Sequence, residues 1–154
     1  MRNLKPILLV EDDRVDIMTT QRAFKELKIP NQLPITGNGE EALEYLKDEN
    51  TEKPCLVLLD LNMPRMNGIE FLEIIKQDDN LKKIPVVILT TSNEEKDKIE
   101  SFRLGVAGYM VKPIDYRQFV EVIKTIDIYW TTSELPKDSK GHRVVPEPTK
   151  LDVS

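Results

Sequence analysis

Three short stretches in which every residue is apolar punctuate the chain, Ile7 to Val10, Leu56 to Leu59 and Val86 to Leu89, with a briefer one at Met110-Val111. Apolar runs without alternation are what strands buried on both faces of a parallel sheet look like. Between them apolar residues recur at helical offsets: Phe24 and Leu27, then Ala42, Leu43 and Leu46, then Phe71, Leu72 and Ile75, then Ile99 and Phe102. A fifth helical pattern covers roughly Tyr116 to Trp130. Strand and helix in alternation, joined by right-handed crossovers, predict an α/β fold with a doubly wound sheet of five parallel strands and five helices.

The weakest strand signal is Gln32 to Thr36, where Pro34 removes one ladder donor; proline in a strand points to a sheet edge. The flavodoxin-like order 2-1-3-4-5, taken from known doubly wound folds, puts the second strand at an edge, so Pro34 favours that order. Ser92-Asn93-Glu94-Glu95 reads as a capping box and predicts that the fourth helix starts there. On the fifth helix Phe119, Ile123, Ile126 and Trp130 form one face, with Tyr129 flanking it and Ile128 opposite. This is more apolar surface than the sheet should need, and it predicts either a homodimer contact through helix 5 and the residues after it or a plain exposed patch. Residues 1–133 are expected to form the domain. Residues 134–154 carry three prolines and the chain's histidine, His142, and read as an extended or disordered tail.

Composition narrows the function. At 154 residues, 40% hydrophobic, the chain suits one domain, and a separate output domain is not expected. A formal net charge of -5 gives no footprint for a nucleic-acid backbone, and the proline-spotted stretch after residue 130 cannot supply a helix-turn-helix. Cys55 is the one cysteine, which excludes a disulfide within the chain; beside an apolar run it reads as a buried reduced thiol, in keeping with the cytoplasm. No signal-peptide core is evident, and no apolar stretch approaches the ~20 residues that span a bilayer, so no membrane insertion is expected.

Ligands of open parallel sheets bind beyond the carboxyl ends of the strands, where the winding reverses. Strand 1 ends in Glu11-Asp12-Asp13, strand 3 in Asp60 followed by Leu61-Asn62-Met63-Pro64, strand 4 in Thr90-Thr91, and strand 5 runs into Lys112-Pro113. Carboxylates from adjacent central strands repel unless a cation sits between them, and oxygen ligands of this kind suit Mg²⁺. With Mg²⁺ bound, Asp60 is held as an unprotonated nucleophile, and Lys112 and Thr90 are donors for the equatorial oxygens of a transferred phosphoryl group. Asp13 is better explained as a helix N-cap than as a ligand. Taken alone, Thr90 reads equally as the end of a strand and Tyr109 as core packing.

Ile7-Leu8-Leu9-Val10-Glu11-Asp12-Asp13, Asp60-Leu61-Asn62-Met63-Pro64-Arg65-Met66-Asn67-Gly68, Val86-Val87-Ile88-Leu89-Thr90-Thr91-Ser92 and Gly108-Tyr109-Met110-Val111-Lys112-Pro113 resemble, in order, the signature segments of two-component response regulator receiver domains. The resemblance covers residues 5 to about 130. It implies that Asp60 is the phosphoacceptor, Asp12 a direct metal ligand, Glu11 an acid acting on the metal through water, and Asn62 a ligand through its backbone carbonyl. It further implies that Thr90 and Lys112 contact the phosphoryl group, that Lys112-Pro113 is a cis peptide aiming the lysine inward, and that Tyr109 turns inward as Thr90 moves. The donor would be a sensor histidine kinase. The long connection Lys47 to Pro54 and the ending Tyr129-Trp130-Thr131 are similar to small regulators that partner phytochrome-type kinases.

A Mg²⁺-dependent phosphatase with an aspartyl-phosphate intermediate would use a similar donor set. Such enzymes usually place a second acid two residues after the nucleophile, where this chain has Asn62, which cannot act as a general acid. A phosphorylation-dead scaffold is disfavoured by the full set Glu11, Asp12, Asp60, Thr90 and Lys112.

Overall fold

The structure, a computed structural model, describes residues 2–132. Its elements run β1 (Ile7–Val10), α1 (Arg14–Glu26), β2 (Ile35–Thr36), α2 (Gly39–Lys47), β3 (Leu56–Leu59), α3 (Gly68–Lys76), a 3₁₀ turn (Leu81–Lys83), β4 (Val86–Thr90), α4 (Glu95–Arg103), β5 (Gly108–Val111) and α5 (Tyr116–Asp127), which continues as a π-helical turn (Ile128–Thr132). The five strands are parallel in the order β2-β1-β3-β4-β5, the flavodoxin-like arrangement. The apolar runs form the strands because both faces are covered. Leu8, Val10, Val57, Leu59 and Ile88 pack under α2 and α3, while Ile7, Leu9, Leu58, Val87 and Leu89 pack under α1 and α5.

The edge strand is shorter than the pattern predicts, with only Ile35 and Thr36 in regular pairing. The segment before it still holds β1, because the carbonyls of Gln32 and Pro34 accept from the Ile7 and Leu9 amides at 2.9 Å. Proline lacks the donor but keeps the acceptor.

Two expectations about helices fail. The fourth helix begins at Glu95, with Glu94 at the N-cap and no side-chain cap bond, so Ser92 to Glu95 is not a capping box. Ser92 is engaged elsewhere: its hydroxyl donates to Asp97 at 2.5 Å and its carbonyl accepts from the Tyr109 hydroxyl at 2.9 Å. Nor does Ile99 face a core; it is 61% exposed, and Ser101 is the buried residue of that helix.

The apolar face of α5 is not surplus. Phe119, Ile123, Ile126 and Trp130 are all buried against the sheet. Trp130 lies where β5 has Gly108, and a Cβ there would stand 3.3 Å from its ring. Arg2 fastens the end of this helix, its guanidinium donating to Asn31 at 2.6 Å and to Asp127 at 2.7 Å. The ground for a homodimer contact through this face is therefore removed. Cys55 is only half-buried, with its Sγ 3.5 Å from the Lys5 carbonyl. The proposed tail, residues 134–154, and His142 lie outside the described residues. Among the described residues no helix is long and apolar enough to cross a membrane.

Candidate functional site

Ladder hydrogen bonds carry the three central site residues to one level. The Glu11 amide donates to Thr36 at 2.9 Å, the Asp60 amide to Val10 at 3.0 Å, and the Lys112 amide to Thr90 at 2.7 Å. Each therefore sits one step beyond the end of a strand, fully buried in β1 and β3 and partly exposed at Val111 in β5, where the next helix must turn away and leave a mouth. Carboxylate oxygens of Glu11, Asp12 and Asp60 lie within 4.8 Å of one another, Asp12 exposed and the other two buried. The Lys112 ammonium hydrogen-bonds Glu11, donates to Asp16 at 2.9 Å, and stands 3.7 Å from Asp60 Oδ2. The other Asp60 oxygen, Oδ1, accepts from the Thr90 hydroxyl at 2.7 Å and from the Asn62 amide at 3.3 Å.

Burial sets the electrostatics. Glu11 is 2% exposed, and desolvation pushes its carboxyl up to about 7, with Lys112 pulling the other way and losing. For Lys112 burial acts downward, yet the charges of Asp60 and Glu11 outweigh it and hold the ammonium above its ordinary value. Glu11, Asp12, Asp16 and Asp60 set four carboxylates against this ammonium. Hard oxygen donors in charge excess fit a divalent cation such as Mg²⁺, which takes carboxylates, a carbonyl and waters.

The loop after Asp60 is cinched against it. Arg65 adopts a left-handed φ of 61°, and Asn67 caps α3 in a reciprocal box with Glu70. At Gly68 the helix meets the strand end so closely that a Cβ would lie 2.7 Å from the Asp60 carbonyl oxygen. Glycine is needed here for space. Asn62 rides on this loop, exposed, with its amide turned to Asp60.

Of the residues the sequence singled out, Glu11, Asp12, Asp60, Asn62, Thr90 and Lys112 come together at this mouth. Tyr109, on β5, is 2% exposed, its ring packed in the core and its hydroxyl donating to the Ser92 carbonyl. The expected cis bond at Lys112-Pro113 is not formed: the described residues contain no cis peptide. A trans X-Pro bond is the ordinary preference, and Lys112 reaches inward without the cis form because β5 and its acidic partners direct it. Asp13 is the N-cap of α1, as read from the sequence. The sequence reading missed Asp16. Its one available signal was a spacing of one helical turn after Asp12, which leaves it on the side facing the mouth.

Comparison with known proteins agrees with this geometry. The response regulator receiver domain family matches residues 7–124. Response regulator Rcp1 of Synechocystis is 40% identical over 130 residues, 82% of this chain and 88% of that protein. The phosphorylated cyanobacterial phytochrome response regulator RcpA superposes with a TM-score of 0.79 at 38% identity, covering 88% of this chain and 100% of that one. The Mn²⁺-bound form of Rcp1 gives 0.78 at 40% identity, covering 86% and 99%. On this match across most of its length, the chain belongs to the response regulator receiver domain family.

Proposed function

We propose that this chain is a phosphorylation switch that accepts a phosphoryl group on Asp60 from a sensor histidine kinase and depends on Mg²⁺. The observation that carries this reading is the convergence of Asp60, the Glu11 and Asp12 carboxylates, the Thr90 hydroxyl and the Lys112 ammonium at one mouth. An Asp60 carboxylate oxygen attacks phosphorus; the bond to the donor breaks with its electron pair on the donor, leaving an acyl phosphate. Glu11, Asp12, Asp60 and the Asn62 carbonyl would hold the cation, which supplies charge neutralisation. Thr90 and Lys112 donate to the new phosphoryl oxygens. The Mn²⁺-bound structure of the relative Rcp1 supports the cation.

Thr90 already bonds Asp60 and Tyr109 is already turned inward. Phosphorylation would therefore stabilise an arrangement open to the unmodified chain, biasing the surface of α4, β5 and α5 by population shift. The phytochrome names of its relatives favour a phytochrome-type kinase as partner, acting in the cytoplasm. A homodimer through the end of α5 would rest on Ile128, 42% exposed, and sedimentation with beryllofluoride tests it.

The deciding experiment is labelling by acetyl phosphate with Mg²⁺. Wild type is expected to incorporate hydroxylamine-labile phosphate and Asp60→Asn none; labelling that survives this substitution overturns the reading. The phosphatase alternative predicts turnover of p-nitrophenyl phosphate, which the exposed Asn62 amide side chain has no acid chemistry to support.

A further inference from the structure

We propose that Asp16 is a positioning residue for Lys112, fixing the ammonium so that a free N–H faces the phosphoryl group arriving at Asp60. An ammonium has three N–H donors. In this structure Lys112 gives one to Glu11 and one to Asp16 at 2.9 Å, and at 3.7 Å from Asp60 Oδ2 it makes no hydrogen bond to the acceptor. The remaining donor is thus kept on the side where new oxygens will appear.

An acid in the first turn of a helix needs no special role, because the helix dipole favours it there. That explains an acid at position 16 but not its ion pair with a lysine 96 residues away, whose side chain is 6% exposed. The two anchors of Lys112 also differ in their other duties. Glu11 belongs to the carboxylate cluster with Asp12 and Asp60, whereas Asp16 lies outside it. When Glu11 serves a cation, Asp16 is the anchor that stays.

Asp16 itself is well braced. Its amide donates to the Asp13 side chain at 3.0 Å, and its carbonyl accepts from the Thr20 hydroxyl at 2.8 Å. The pair forms part of the wall of a cleft of about 370 Å³ between α1 and the connection from β5 to α5, which Val15, Thr19, Arg22 and Pro113 also line.

This inference rests on the phosphoacceptor reading, and the test separates the two. Phosphorylation of Asp16→Asn, Asp16→Ala and Asp16→Glu by acetyl phosphate at saturating Mg²⁺ is compared with Mn²⁺ affinity by electron paramagnetic resonance. The Asn and Ala variants are expected to lose about tenfold in rate, as a misplaced reacting group does, with Mn²⁺ affinity within about twofold and partial rescue by Glu. An unchanged rate, or a loss matched by an equal loss of Mn²⁺ affinity, overturns the proposal. A second arm needs no phosphate: the Lys112 ammonium should give a slowly exchanging ¹H–¹⁵N signal in wild type that is lost in Asp16→Ala. If the signal persists, the proposal fails. Wild type that takes no label while losing this signal in Asp16→Ala would sink the acceptor reading alone.

Discussion

A carboxylate as buried as that of Glu11 is held in its ionised form only by what surrounds it, and in this site the surroundings compete. Desolvation places its pKa near 7 in the folded chain against 4.5 for the ordinary group. The folded state thus binds the proton more tightly than the unfolded one. Its contribution is full below about 4.5 and lost as pH rises through about 7. Without divalent ions, Glu11→Gln should match wild type in melting temperature at pH 5 and exceed it at pH 7.5, and added Mg²⁺ should shrink the gap by favouring the ionised form. Calorimetry in EDTA across that range checks it; a gap that stays constant with pH contradicts it. At this scale Glu11, Asp12 and Asp60 were legible, because acids directly after fully apolar runs stand out. Asp16 was not, since its partner is distant in sequence and becomes its neighbour only when α1 packs against α5 and the residue after β5 reaches the same mouth.

Among the elements, α1 and the connection from β5 to α5 frame the mouth with apolar side chains that cover nothing. Val15 is 69% exposed, Met18 60% and Ile114 fully exposed. Val15 and Met18 sit one turn apart on α1, so they share a face. Exposed apolar residues rimming a polar site favour a protein donor over a small phosphodonor. Ile114→Asp is expected to slow transfer from the cognate kinase at least tenfold and leave labelling by acetyl phosphate within about twofold. Equal loss with both donors would place the defect in the site. Element boundaries show where sequence reading stops. The runs at β1, β3 and β4 were plain because burial on both faces leaves no polar position. The start of α4 was misread because Ser92 answers to Tyr109 and Asp97, a demand of tertiary structure that outweighs the local cap.

For the whole molecule, the mouth concentrates negative charge that a bound cation would relieve, so cation binding would be linked to folding. Mg²⁺ at about a hundredfold above its Kd should add about 2.7 kcal/mol of stability, a rise of several degrees in Tm for a domain of this size. Asp12→Asn should lose most of that rise, while in EDTA its melting point should be no lower than wild type, because one of the mutually repelling carboxylates is gone. A full Mg²⁺ response in Asp12→Asn would remove Asp12 from the cation site. The alternation of runs and helical patterns made the doubly wound class legible, while the strand order was taken from known folds, with Pro34 at the edge as the one feature of this chain that favoured it. How α5 spends its apolar face was not, since a helical wheel does not reveal that β5 offers Gly108 as a socket.

That socket has a practical outcome. Trp130 is the one tryptophan in the chain, and it is lodged beside Gly108 on the strand that runs into Lys112. Its fluorescence is a native optical gauge of that strand, so displacements there can be followed in unlabelled protein without introducing a dye.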